Sequence, residues 1–258
     1  MTTTFLALGA ADDPAAARAS KPLLARGWAV IDAATVARIG GLGISDLEAW
    51  RPVWERLPPD PHLRDGGRYR HRRHGCFLAT PDSRHVVLVP HRPHWQPLEY
   101  NALHGGIERW FDPLPDSLSA DLNWLQLLRG LANVADALRG AGTWAIEAHP
   151  FRIDTTDGIG RPTPEGAHRD GVDLVVVMLV ARHNIKGGET RVFDADGPNG
   201  VRFTLNEPFS ALLLDDARVI HETTPIQPAD PENHGWRDTL VLTFRRNAFQ
   251  GPDPDAAT

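Results

Sequence analysis

The chain has 258 residues, with 27 lysines and arginines against 33 aspartates and glutamates, for a formal net charge of -6. No basic block is long enough to track a phosphate backbone, which argues against nucleic acid as a partner. The longest uninterrupted apolar run, Leu174 to Ala181, is eight residues, far below the ~20 that span a bilayer, and 41% hydrophobic with 23% charged residues is a globular composition.

In chain order, Asp12-Asp13-Pro14 places an acid at the cap and a proline at the first position of a helix, which Gly27 ends. Trp28–Ile31 follows as a short strand. Ser45-Asp-Leu-Glu48 has the capping-box pattern, and Leu47, Trp50, Val53 or Trp54, and Leu57 recur at helical spacing until Pro58-Pro59. Arg68 to Ala79 and His85 to Val89 favour strands, whereas segment 90–115 is dense in Pro, Gly and His and reads as loop. A third helix is expected from Ser119 to Arg139, stopped by Gly140. From Trp144 onward the pattern becomes β-favouring: Trp144–Asp154, Val172–Arg182, Glu189–Ala195, Val201–Leu205, Ser210–Leu214, Arg218–Thr223 and Thr239–Arg246, separated by turn residues. The expectation is a single domain, mainly β with flanking helices. A sandwich or barrel core over 144–247 is buttressed by residues 1–140 and trailed by a disordered tail over 251–258.

A lone cysteine, Cys76, excludes an internal disulfide and a cysteine-based zinc cluster, and its setting reads as that of a packed thiol. Residues 1–13 lack a basic leader region, so the expected compartment is the cytoplasm. Twelve histidines are filtered by spacing. His71 and His74 lie three apart in a strand-like stretch and so face opposite ways. His91 and His94 are interrupted by Pro93. Both pairs read as solvated or pocket-lining, and His62, His85, His104, His149, His183 and His234 as ordinary polar residues.

His168 and Asp170 differ. On extended chain, positions two apart face the same side, so imidazole and carboxylate can converge on one ion while Arg169 points away. His221, 51 residues after Asp170, follows a strand and a tight acidic turn. In a jelly-roll that gap brings the chain back beside its start. Two histidines and one carboxylate make the facial triad of non-haem Fe(II) oxygenases, which leaves positions open. Arg237 and Thr239, sixteen and eighteen residues past His221, open the last strong strand. Alone, the arginine would read as a surface ion-pair former. Joined to the triad, it fits the distal carboxylate of 2-oxoglutarate through a bidentate fork.

Pro162-Thr-Pro-Glu-Gly-Ala-His-Arg-Asp-Gly-Val-Asp, Asn184-Ile-Lys-Gly-Gly-Glu-Thr190, Leu214-Asp-Asp-Ala-Arg-Val-Ile-His221-Glu-Thr-Thr-Pro225-Ile and Arg237-Asp-Thr-Leu-Val-Leu-Thr-Phe-Arg together resemble the bacterial 2-oxoglutarate/Fe(II) dioxygenases that include L-isoleucine hydroxylases. Gly75-Cys-Phe-Leu and Gln96-Pro-Leu-Glu-Tyr-Asn101 extend the resemblance to about residues 25–247. It implies a double-stranded β-helix (jelly-roll, cupin-like) core, Fe(II), 2-oxoglutarate and O2, and hydroxylation of a free aliphatic amino acid. His168, Asp170 and His221 match its metal ligands and Arg237 its co-substrate arginine.

An amino-acid substrate needs an anion site and a cation site. Arg152 is the candidate for the α-carboxylate and Glu165 for the α-ammonium, with Trp95, Leu98 or Tyr100 as apolar lining on a lid formed by segment 90–115. Gly187-Gly188 reads as a positive-φ turn. Three alternatives stand beside this reading. One is a zinc hydrolase with the same ligands, which leaves Arg237 and Thr239 idle; another is a non-catalytic small-molecule-binding barrel; the third is the same chemistry on a protein or carrier-bound side chain. Monomer and homodimer both remain open.

Overall fold

The computed structural model describes residues 14–81, 85–101 and 103–252. The helix start at Asp12-Asp13, the leader reading of residues 1–13 and the tail beyond residue 252 lie outside them. Helix α1 (Pro14–Arg26) ends where Gly27 turns with φ of 81°, and β1 (Trp28–Ile31) follows as expected. Asp32 then caps α2 (Ala33–Ile39), accepting from the Thr35 amide at 2.7 Å. That helix is too short for periodicity to have revealed it.

The helix expected from Ser45 is split. Helix α3 (Ile44–Glu48) starts on Gly43, whose amide donates to Asp46 at 2.8 Å, so Ser45 is not the cap. Pro52 has no amide hydrogen to extend an α-helical ladder, and Arg51–Arg56 tightens into a 3-10 helix. The helix expected from Ser119 is likewise two, α4 (Asp116–Ser119) and α5 (Leu122–Arg139). Asp121 breaks the run and recaps it, accepting from the Asn123 and Trp124 amides at 2.7 and 3.2 Å.

The strands are β2 (Arg70–Arg72), β3 (Gly75–Ala79), β4 (Val86–Leu88), β5 (Trp144–Asp154), β6 (Leu174–His183), β7 (Ile185–Gly187), β8 (Thr190–Asp194), β9 (Gly200–Phe203), β10 (Ala211–Asp215), β11 (Val219–Thr223), β12 (Ile226–Pro228) and β13 (Trp236–Arg246). The sequence reading lacked β7 and β12, and the described residues of segment 90–115 are loop as expected. An eight-stranded sheet runs β1-β10-β6-β13-β5-β3-β4, with β2 also on β5. A three-stranded sheet runs β11-β8-β9, and β12 pairs with β7. The fold is mainly β with flanking helices.

Alternation along the long strands assigns two environments. Trp144, Ile146, Leu240, Leu242 and Phe244 face the helices, where they join Trp124, Leu127 and Leu131 of α5 in one buried cluster. Each such side chain contributes roughly 1.5–3 kcal/mol by leaving water. Gly130 lets α5 lie against α2, because a Cβ there would sit 1.9 Å from the Ile39 carbonyl oxygen. On the opposite face, Val175, Leu179, Leu212 and Leu214 pack on Val192 of β8 and Val219 of β11. The large sheet is thus covered by helices on one side and the small sheet on the other. Where the small sheet stops, β5 and β13 present buried polar groups instead: Glu147, His149, Arg237, Thr239 and Thr243.

Candidate metal and ligand site

The loop before β6 lies along β11. Thr163 Oγ donates to the Thr223 carbonyl and accepts from its amide, both at 3.1 Å. His168 and His221 then exchange backbone hydrogen bonds of 3.0 and 2.9 Å, setting their rings on one side with centroids 4.7 Å apart. Asp170 lies 3.9 Å from His168 Nε2 through Oδ1 and 3.8 Å from His221 Nε2 through Oδ2. The three candidate ligand atoms all fall within 4.8 Å of one another. The structure therefore brings together the residues that spacing had paired only in part.

What surrounds them fixes their direction. His168 Nδ1 donates to the Gly166 carbonyl at 2.9 Å, which leaves Nε2 facing the cluster as a lone pair. Asp216, 1% exposed in the turn after β10, accepts from the amides of Asp170, Gly171 and Val172 at 3.0, 2.7 and 3.1 Å. Burial and the Asp170 charge push its carboxyl up to about 7 against those donors. Burial opposes charge on His168, but Asp170 and Glu165 outweigh it and its pKa is raised. Burial, then the charge on His168, holds His221 well below the ordinary imidazole range.

Arg237 and Thr239 line the same cavity from β13. Arg237 is 3% exposed, its Nε and one terminal nitrogen have no partner, and no carboxylate stands within ion-pair reach among the described residues. Burial pushes it down to about 10. A buried guanidinium without an anion is costly, so the position is built for one that arrives. The Gly187-Gly188 turn beside it has φ of 81° and 70°, and a Cβ on Gly187 would meet the Pro225 carbonyl oxygen at 2.2 Å. These donors, two imidazoles and a carboxylate next to an unpaired arginine, fit a divalent iron and a dicarboxylate keto acid.

Two expectations need correction. Arg152 does not reach the cavity: it stands on the other face of β5, in register with Asp238 of β13, and holds that carboxylate through two bonds of 2.7 Å. The apolar lining is supplied by Phe151, Ile153, Pro162, Val177 and Val241 rather than by Trp95, Leu98 or Tyr100. Leu98 is 63% exposed, and Tyr100 packs against Gly171 and Arg169. Glu165 does line the cavity, with Oε1 3.6 Å from His168 Nε2 and Oε2 buried without a partner.

Sequence reasoning missed two polar groups. In the central loop, Gln96 donates to Asp170 Oδ1 at 3.0 Å, and its carbonyl accepts from Asn101 and Arg109 at 3.0 and 2.9 Å. The Gln96–Asn101 motif was the available signal, but it assigned no role. His74, His94 and His149 surround Glu147 at 3.3, 2.5 and 3.4 Å; all three are buried and none is solvated, and His94 and His149 line the cavity, which agrees with the pocket-lining reading of His94. Spacing cannot reveal them, since they come from β5, the loop and the lead-in to β3. The ligand atoms of these four residues also fall within 4.8 Å of one another, so this cluster meets the same distance criterion as His168, Asp170 and His221, but one nitrogen of each imidazole is engaged by Glu147. Arg72 donates to His149 Nδ1 at 2.6 Å, so the imidazole proton sits on Nε2 and points at the carboxylate. Burial would raise the Glu147 carboxyl, but the imidazoles, His94 foremost, hold it well below its usual range.

The sequence is 24% identical over 212 residues to a 3(1)-hydroxy-L-isoleucine 4-dioxygenase of Pantoea ananatis, covering 79% of this chain and 83% of that one. It is 24% identical over 185 residues to an L-isoleucine-4-hydroxylase of Bacillus thuringiensis, covering 69% and 75%. The crystal structure of a bsmA homolog from Methylobium petroleophilum superposes with a TM-score of 0.87 at 51% identity, covering 98% and 99%. No helix among the described residues is long and apolar enough to cross a membrane. The sequence pattern of the 2OG-Fe dioxygenases matches residues 51–243, well over half of the chain. The protein belongs to that family and is an oxygenase that works with Fe(II), 2-oxoglutarate and O2.

Proposed function

We propose that this oxygenase hydroxylates a free aliphatic L-amino acid of the isoleucine, leucine or methionine kind, with iron on His168, Asp170 and His221 and the distal carboxylate of 2-oxoglutarate on Arg237 and Thr239. The observation that carries it is the convergence of two imidazoles and one carboxylate within 4.8 Å in the cavity that holds the unpaired Arg237. The relatives named for isoleucine and hydroxyisoleucine support the substrate class. The zinc-hydrolase and non-catalytic alternatives fall with the family assignment. The chain passes from the large sheet (β6) to the small one (β8, β9), back (β10), across (β11) and back again (β13), which supports a jelly-roll core within one domain. A single buried cysteine suits a reducing cytoplasm.

Iron with 2-oxoglutarate and O2 supplies an oxidation that releases succinate and CO2 and puts one oxygen atom into the substrate. The chain's own residues do the rest. Asp216 holds the backbone from Asp170 to Val172 rigid, and the Gly166 carbonyl holds His168 in the donor tautomer. Arg237 offers a fork whose direction is set by β13, so the keto acid enters in one orientation. Phe151, Ile153, Val177 and Val241 keep the cavity wall apolar and exclude water beside the reacting carbon.

The test is anaerobic addition of Fe(II) and 2-oxoglutarate, followed by air and a panel of aliphatic L-amino acids. A weak visible charge-transfer band, then succinate in step with a product heavier by one oxygen atom, is the expected result. Loss of both in His168→Ala and Asp170→Ala completes it. Undiminished succinate in either variant would overturn the ligand assignment.

A further inference from the structure

Four arginines line the cavity, and three have an account. Arg70 is bound to the buried Asp60 at 2.7 Å. Arg72 lies between the rings of Phe111 and Phe151, 3.8 and 4.3 Å from their centroids, and donates to His149. Arg237 faces the co-substrate position proposed above. Arg109 is the one left. It is 2% exposed, and among the described residues its side chain donates only to the neutral Gln96 carbonyl, its Nε has no partner and no carboxylate is within ion-pair reach. Its backbone is zipped to His94 by two bonds of 2.9 Å, so this guanidinium is held where it is and is not a swinging surface side chain.

Glu165 mirrors it. The Oε2 atom is buried with no donor, in the same cavity. Arg109 and Glu165 attract each other yet stand beyond ion-pair distance, and each retains an unpartnered atom while lining the same cavity. A buried cation and a buried anion, each incomplete, are satisfied together by a ligand that carries the opposite charges on one carbon.

We propose that Arg109 and Glu165 form the subsite for the α-carboxylate and α-ammonium of a zwitterionic amino acid, an inference that rests on the amino-acid reading above and replaces Arg152 in it. Glu165 lies beside His168, so an ammonium held there brings the α-carbon close to the metal residues and turns the side chain toward the apolar wall. Arg109 and Asp170 share one go-between, because Gln96 accepts from the first and donates to the second. Occupation of the carboxylate site therefore braces the amide that holds the metal-site aspartate.

The experiment compares L-isoleucine with L-isoleucinamide and 2-methylbutylamine on the wild-type enzyme, then repeats the series with Arg109→Gln, Arg109→Lys and Glu165→Gln. Wild type should favour the free amino acid by about 30-fold or more over either analogue, the size expected for leaving a buried charge unpaired. Arg109→Gln should raise the KM for isoleucine by a similar factor and shrink the preference over the amide. The KM for 2-oxoglutarate and the anaerobic band should stay within about twofold, which is ~0.4 kcal/mol, because Asn101 still holds the Gln96 carbonyl when Arg109 is replaced. Arg109→Lys should recover part of the loss, and Glu165→Gln should weaken isoleucine more than it weakens 2-oxoglutarate. Equal use of amide and acid by the wild type, or an unchanged isoleucine KM in Arg109→Gln, would overturn the subsite alone. Absence of turnover with every aliphatic L-amino acid, with the band intact, would instead overturn the amino-acid reading and this inference with it.

Discussion

The amide nitrogen of Gln96 donates to Oδ1 of Asp170 at 3.0 Å, which ties the central loop directly to the carboxylate proposed to hold the metal. Its orientation is forced, since its carbonyl is already claimed by Asn101 and Arg109. Gln96→Ala removes the donor that orients Asp170 and should weaken Fe(II) binding by about 10-fold or more. Gln96→Glu sets a second carboxylate against the first and should be worse. Anaerobic Fe(II) titration reads both, and equal affinity in all three proteins would refute the link.

Arg237 is expected to act on the co-substrate and little else. Arg237→Ala should raise the 2-oxoglutarate KM by about 100-fold, consistent with the ~2–5 kcal/mol lost when one partner of a buried charge pair is removed. Arg237→Lys, a point charge without the planar fork, should recover only part of it. A variant whose 2-oxoglutarate KM matches wild type places the keto acid elsewhere.

Asp216 is a structural prediction. Its two oxygens absorb three amide donors, so Asp216→Ala strands three partly buried N–H groups and should cost roughly 1–3 kcal/mol of stability. Thermal unfolding measures this, and iron affinity should fall in the same variant because the Asp170 turn is no longer held. Normal stability with weakened iron binding would show that Asp216 serves only the metal residues.

Acid should destabilise the fold earlier than carboxylate titration alone would. His104 is 1% exposed and accepts from the Arg64 amide; burial, then Arg70 and Arg109, pushes its imidazole from the ordinary 6.5 down to about 4. Burial pushes His94 to about 4 as well. Both stay neutral in the fold while the unfolded chain takes up protons, so their contribution is complete above pH 6.5 and is lost as pH falls from 6.5 toward 4. The raised Asp216 carboxyl works the opposite way up to about pH 7, so the difference between two proteins is the reading: the urea midpoint of wild type should fall more steeply below 6.5 than that of His104→Asn. The same pH profile in both proteins would contradict the assignment.

Local chemistry was legible in the chain. His168 and Asp170 are two apart, and that relation holds on any extended backbone, so their shared direction needed no fold. Gly27, Gly140 and the Gly187-Gly188 turn were readable for the same reason, because positive φ is a property of one residue. Helix breaks were partly readable: Pro52 and Asp121 carried the signals, but the apolar periodicity on either side suggested continuity.

What tertiary structure alone decided is which strand face meets which neighbour. Arg152 was placed in the site because it sits on the strand that leads there. Its true direction follows from the parity of β5 against β13, which sets Asp238 opposite it. His74, His94 and His149 have no common period, yet sheet pairing and one loop gather them around Glu147. Arg109 reads in the sequence as one more arginine in a loop, and only its burial without an anion gives it significance. Spacing along the chain fixes direction over two or three residues. Which charges end up dry and unpaired depends on contacts between segments far apart, and those are set by packing.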